Sequence, residues 1–473
     1  MKRALAIAFA LCLSSFAVAR SVDEPPIVVS VNCQDLGVVV PNRYLGLSFE
    51  PTDVINDPGS GPGKPDVFCV GNCLYNVMAL LRPGHMRIGG LLGESERNRS
   101  AVDPSHVDRL LEFARSIGWT IDWQIRLSPY NPQESTITVA HLLEHGGDLL
   151  RFVSIGNEPE AYISQARRPA DWGVEDYCSE YGEYLTVLRR AFPQISIFGP
   201  DISGGTEDFA PYYDWIETFL EHHARCLDGV SLHLYPSIGS ARSGDTVEEL
   251  HALLSNKTRS DVVQVISDVL ALAGEYGLDL WISEMNAGSG ETKGSFNKVA
   301  SALNTLDVLL LAAEMGAKGA AVHIGGRTWW DRSPVQMGDW SRSTAWCWIK
   351  PLAYAMLLFS EADPRRFVGC DIEAGEANVF AYAFTRSDGR LGVVLINKDL
   401  DTVYDVAVRP GGGPSRGRAI ALEGVWHSTK ATLGGAKIDP SGEWTPEWRE
   451  IPVSEGVLTY RIGAATAALI VLE

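Results

Sequence analysis

Two glutamates far apart in the chain stand in matching settings. Glu158 follows an apolar run in Phe152-Val153-Ser154-Ile155-Gly156-Asn157-Glu158-Pro159, and Glu284 closes Leu280-Trp281-Ile282-Ser283-Glu284. Proline cannot extend a ladder and biases its predecessor toward extended geometry, so a strand over 152–155 must stop at Glu158. Two carboxyl groups brought together can divide the work of cleaving an acetal. One, protonated, gives its proton to the leaving oxygen. The other, ionised, attacks the carbon or activates water. Neither tetrapeptide is specific alone, since an acid after Gly-Asn also caps helices. The question is which architecture would make the two meet.

Apolar strand-like runs near 44–49, 85–88, 120–125, 152–155, 195–198, 229–232, 278–282 and 319–322 alternate with helical patterns over 106–117, 138–145, 176–191, 209–225, 260–276 and 296–315. Eight such units over roughly 300 residues are what a (β/α)8 barrel requires, with its chemistry at the carboxyl ends of the strands. Alternation by itself also suits a doubly wound open sheet. After a helix near 351–359 the texture changes to short alternating strands with turn signals such as Ser387-Asp388-Gly389, which reads as an all-β sandwich. Residues 26–40 look like a β-hairpin joining that sheet. The expected division is therefore 1–19 signal peptide, 20–43 N-terminal strands of the sandwich, 44–360 barrel and 361–473 sandwich.

The start of the chain, with Lys2 and Arg3, an apolar stretch from 4 to 13 and Ala17-Val18-Ala19, reads as a secretory signal, too short to span a bilayer. Cleavage after Ala19 removes two bases and no acid, leaving 38 Lys and Arg against 59 Asp and Glu and taking the formal charge from −19 to −21. Such a field repels polyanions, so nucleic acid is not an expected partner and short exo-type substrates are favoured over sulfated polymers. No membrane span is expected. Two sequons, Asn98-Arg99-Ser100 and Asn256-Lys257-Thr258, fit a secretory route. Seven cysteines follow the signal (Cys33, Cys69, Cys73, Cys178, Cys226, Cys347, Cys370), so at least one has no intramolecular partner, and the pairing cannot be read from sequence.

His141-Leu142-Leu143-Glu144-His145 matches a His-x-x-Glu-His zinc pattern. Its helix reads as an outer connection between strands three and four, with Leu142 and Leu143 on the buried face. No later glutamate has a claim to be third ligand, so neither metal nor cofactor is expected.

Glutamates ending strands 4 and 7 of a barrel resemble the large barrel clan of retaining glycosidases. That resemblance implies Glu158 as acid/base and Glu284 as nucleophile, with Asn157 contacting the sugar 2-hydroxyl and Tyr235 hydrogen-bonding the nucleophile. Within the clan the chain is similar to glycoside hydrolase family 79, the β-glucuronidase and heparanase family. The similarity rests on Gly46-Leu47-Ser48-Phe49-Glu50, Arg87-Ile88-Gly89-Gly90, Gly156-Asn157-Glu158-Pro159, Gly199-Pro200-Asp201, Ser283-Glu284 and His323-Ile324-Gly325-Gly326. It implies a carbohydrate substrate, uronic-acid glycosides first, with Glu50 on the distal hydroxyls. Ser289-Gly290-Glu291 stands where the family has Tyr-Gly-Gly to hold the uronate. Arg327 or Lys293 would have to replace that counter-charge, and neutral sugars stay open as the alternative. A sugar-binding protein without catalysis is a third reading, against which both glutamates and Asn157 argue. Further candidates for substrate contact are Arg87, His233, His323 and Trp330. The competing readings are a structural ion pair for Arg87 and backbone-satisfied core positions for the histidines.

Overall fold

The structure is a computed structural model that describes residues 18–19, 27–55, 67–94, 104–236, 246–288, 296–324, 333–337, 346–411 and 416–473. Its centre is a closed barrel of eight parallel strands: Leu45–Phe49, His85–Ile88, Thr120–Ile125, Leu150–Ile155, Ile197–Gly205, Gly229–Tyr235, Asp279–Met285 and Ala320–His323, here barrel strands 1 to 8. Strand 8 pairs with strand 1, from Ala320 opposite Leu45 to His323 opposite Ser48, which excludes the open sheet. Most residues of these strands are buried on both faces, as parallel strands covered by helices must be.

The second layer is a β-sandwich whose strand order closes on itself. It runs Thr402–Pro410, Ile27–Val39, Pro364–Glu373, Val379–Arg386, Leu391–Asn397, Thr466–Leu472, Arg416–Glu423, Arg449–Ser454 and Val457–Ile462, and the last pairs with the first. The N-terminal segment joins this sheet, but as one strand of 13 residues rather than a hairpin. It lies between Thr402–Pro410 on one side and Pro364–Glu373 on the other. Where a turn was expected the chain bulges, the register moving from Asn32 opposite Gly369 to Leu36 opposite Val368. Two flanking strands satisfy backbone groups that a hairpin would leave on an open edge.

Two helices join the layers. Val299–Met315 and Pro351–Ala362 are buried almost all round, packed on each other and on sandwich strands and sharing one core with the barrel strands. Inside the first, Asp307 meets Lys398 Nζ at 2.5 Å and Arg259 Nε at 3.3 Å, and accepts the Tyr382 hydroxyl. Lys398→Met is expected to cost about 3 kcal/mol, because it leaves Asp307 as a buried anion short of its main partner. Urea unfolding of the two proteins measures this, and an unchanged midpoint would remove the ion pair from the account. A disulfide from Cys73 to Cys347 spans 274 residues and ties the helix Cys73–Leu80 to the short strand Cys347–Ile349. No described helix is long and apolar enough to cross a membrane.

Candidate functional site

Parallel strands that all end on one rim bring residues distant in sequence to a single place. Barrel strand 4 ends at Ile155, and the turn beyond it is tight, with Gly156 at φ +82° and Glu158 itself left-handed at φ +50°. A non-glycine residue in that region is strained and is held there only by its surroundings. Here the Glu158 amide donates to the Asp201 carbonyl (3.0 Å), and Pro159 starts a short 3-10 turn. Glu284 sits one residue before the end of strand 7. One side-chain oxygen of each glutamate and one nitrogen of His233 all lie within 4.8 Å of one another. The glutamates are brought together as strands 4 and 7 of a barrel predict.

Their surroundings differ. Glu284 is 5% exposed at its side chain and Glu158 is 15% exposed, so of the two Glu158 is the nearer to solvent. Glu284 accepts from Arg87 Nη1 and from the Tyr235 hydroxyl at 2.8 Å, with His233 Nδ1 at 3.6 Å and His323 Nδ1 at 3.5 Å. Burial pushes its carboxyl up. His233, His323, Arg87 and the Tyr235 hydroxyl outweigh that and hold it well below the usual carboxylate range. Arg87 is itself wholly buried. Its Nη2 faces Asn157 Oδ1 (2.8 Å), Gln124 Oε1 (3.1 Å), Asp201 Oδ2 (3.4 Å) and His233 Nε2 (3.3 Å). Of its two sequence readings, the ion pair beneath the site is the one realised.

His233, also without exposed surface, places Nδ1 3.0 Å from Glu158 Oε1. It therefore serves the carboxylates and offers no face to a ligand. Asn157 Nδ2 is buried with no hydrogen-bond partner among the described residues. Glu50 directly follows strand 1, buried, accepting from the Leu92 amide at 2.9 Å. Burial, then Glu284 and Asp53, push its carboxyl well up. His323 Nδ1 lies 3.0 Å from Ser48 Oγ. Arg327 and Trp330 lie outside the described residues, as do Ser289, Gly290, Glu291 and Lys293.

The glycines of Arg87-Ile88-Gly89-Gly90 have a steric reason. A Cβ on Gly89 would overlap Gln124 Oε1, and one on Gly90 would overlap the Glu50 carboxyl group. Any side chain at either position would displace the groups that hold Arg87 and Glu50.

Three buried residues carry more than their sequence context suggests. Asp201, a turn residue by its Gly-Pro-Asp setting, accepts the Ser283 hydroxyl at 2.5 Å besides facing Arg87. Gln124 and Glu94 are not singled out by any motif. Gln124 shares the barrel-interior face of strand 3 with Asp122, and polar residues at alternate positions of an otherwise apolar strand are the signal that could have found it.

The Glu158–His233–Glu284 group is compact enough to ligate a cation, and it is the one such group among the described residues. Arg87 already neutralises Glu284, and a second positive charge there would be repelled. His141 and His145 lie with ring centres 4.2 Å apart, tilted by 32°, but His141 Nε2 is engaged by Asp108 at 2.8 Å, and no third ligand among the described residues is near enough to complete a metal site.

Comparison of the whole chain with solved structures gives long matches at low identity. A 4-O-α-L-rhamnosyl-β-D-glucuronidase from Fusarium oxysporum 12S superposes with a TM-score of 0.70 at 16% identity, covering 94% of this chain and 100% of that one. The shared fold is the (β/α)8 barrel with a β-sandwich. The family 51 α-L-arabinofuranosidase AbfB of Bifidobacterium longum gives a TM-score of 0.71 at 14% identity, covering 95% and 100%. A family 44 xyloglucanase of Paenibacillus polymyxa gives 0.66 at 14%, covering 94% and 99%. No family model and no curated protein matches the sequence.

Proposed function

We propose that the chain is a secreted retaining β-glycoside hydrolase working by double displacement, with uronic-acid glycosides as its first substrate class. The observation that carries this reading is the approach of two carboxylates to within 4.8 Å, one tightly held by cations and a hydroxyl and the other beside solvent. Retaining enzymes hold their carboxyl groups about 5–5.5 Å apart, whereas inverting ones leave room for a water. In the first step a Glu284 oxygen bonds to the anomeric carbon. The bond to the leaving oxygen breaks, and Glu158 gives that oxygen its proton. In the second step Glu158 takes a proton from water, whose oxygen displaces Glu284 and restores both groups. Tyr235 and Arg87 keep Glu284 ionised for attack. The unpartnered Asn157 amide is a donor for the 2-hydroxyl, and Glu50 contacts the distal hydroxyls.

Likeness to family 79 on the six motifs above, and the fold shared with a glucuronidase, support the uronate. Against it, Ser289-Gly290-Glu291 puts an acid where a uronate carboxylate would be received, and this favours neutral glucosides or xylosides as the second reading. The deciding experiment is a panel of aryl glycosides (β-glucuronide, β-glucoside, β-xyloside and α-L-arabinofuranoside) with Glu284→Gln as the blank. It should use protein recovered from the culture medium, where an N-terminus at Arg20 would support export. Cleavage of the glucuronide alone supports the leading substrate. Cleavage of neutral glycosides alone replaces it while keeping the mechanism, and turnover of nothing returns the chain to a sugar-binding role.

A further inference from the structure

Glu94 is buried above barrel strand 3 and takes no part in the chemistry described so far. Its two oxygens accept three N–H groups through four contacts, the Leu127 amide being shared between them. Oε2 receives the amides of Ser128 (2.6 Å) and Leu127 (3.1 Å), while Oε1 receives Leu127 (3.2 Å) and Gln124 Nε2 (2.9 Å). The other end of the Gln124 amide, Oε1, accepts from the Gly90 amide at 2.6 Å and from Arg87 Nη2 at 3.1 Å, and Arg87 Nη1 meets Glu284. An amide has one accepting end and one donating end. A carboxylate at position 94 can only accept, so it compels Gln124 to turn its NH2 outward and its oxygen toward Arg87. We propose that Glu94 is a positioning residue that sets the polarity of this chain and, through Gln124, holds Arg87 aimed at Glu284. The proposal rests on the reading of Glu284 as nucleophile.

Glu94→Gln tests the polarity with almost no change of shape. The Ser128 and Leu127 amides are fixed in the backbone, so the new side chain must turn its oxygen to them and its NH2 to Gln124. Gln124 then meets donor with donor and must flip, presenting NH2 to the Gly90 amide and to Arg87. The guanidinium loses an acceptor and its hold on Glu284 weakens. The sign of the pH effect separates this from a plain charge effect. Removing a negative charge would by itself lower the acid limb of kcat/KM, whereas a displaced Arg87 raises it.

The other charged or titratable groups facing Glu284 are Glu158, Glu50, His233, His323 and Tyr235, and those facing Glu94 are Arg167, Arg168, Tyr184 and Tyr162, whose hydroxyl hydrogen-bonds it. All are unchanged in the variant. The expected result is a fall in kcat of roughly ten- to a hundredfold, the scale of one hydrogen bond to a charged group, with the acid limb moved to higher pH. The exchange Glu94→Gln with Gln124→Glu restores the order of donors and acceptors. The carboxylate it places at position 124 accepts from Arg87, from the Gly90 amide and from the NH2 now at position 94. It should bring the limb back. A limb that stays in place or moves down in Glu94→Gln overturns the proposal, as does an exchange variant worse than either single change. Should Glu94→Gln not fold, Gln124→Met cuts the same chain in its middle and must raise the limb; an unmoved limb there is equally decisive. Wild-type turnover and its loss in Glu284→Gln judge the nucleophile separately.

Discussion

Glu284→Gln is expected to lower kcat/KM by roughly 10⁴-fold or more on every substrate the enzyme cleaves, the scale seen when a hydrolase loses its covalent nucleophile. The amide cannot form the glycosyl ester. Glu158→Ala should behave differently. Its first step needs a proton only when the departing oxygen is basic, so alkyl glycosides lose roughly 10²–10⁴-fold while glycosides of acidic phenols lose far less. The glycosyl ester on Glu284 then accumulates, because water no longer has a base. Azide, which needs no deprotonation, should release it as the β-glycosyl azide. Steady-state rates across a series of phenols, with the azide product identified by NMR, measure both halves. Equal losses for good and poor leaving groups would strip Glu158 of its role as acid.

Arg87→Met is the second change with a large expected effect, and it joins stability to activity. Arg87 carries a positive charge at the centre of a buried set of acids, with Glu284, Asp201 and Glu50 around it. Removing it leaves Glu284 buried without one of the cations that hold it ionised, at a cost of about 3–5 kcal/mol in unfolding free energy. The double variant Arg87→Met with Glu284→Gln should regain much of that loss while remaining inactive. The pH dependence follows from the direction of the Glu284 shift. Its carboxyl is held below its unfolded value, so its contribution to stability is present above the unfolded value and is lost as pH falls through the folded one. Without Arg87 the folded value rises. Stability is then lost earlier on acidification, and the acid limb of kcat/KM moves to higher pH. Urea titrations across pH on the two variants check both statements, and a double variant no more stable than Arg87→Met would contradict the buried-charge account.

Much of this site could be read from one dimension. Glu158 and Glu284 were legible because each closes an apolar run, and strand ends in a barrel share a rim. The role of Tyr235 came from the resemblance to the retaining clan, and its hydroxyl does meet Glu284 at 2.8 Å. Strand ends are local properties: proline, glycine and a change of hydropathic period announce them wherever the rest of the chain goes. The eight alternating units, and the change to short strands after them, were legible for the same reason.

What the sequence could not supply was anything that depends on which neighbours a residue acquires. The segment Ile27–Val39 carries turn-forming residues yet stays extended, because two strands from the far end of the chain flank it. Asp201, Gln124 and Glu94 look ordinary in sequence. They matter because closing the barrel buries them around Arg87, where every donor must find an acceptor. His233, a candidate ligand contact by sequence, is instead enclosed between two carboxylates. Periodicity along a chain determines which elements form and where they end. Packing in three dimensions decides the partner of each buried polar atom, and so which carboxylate is held ionised and which is left beside solvent.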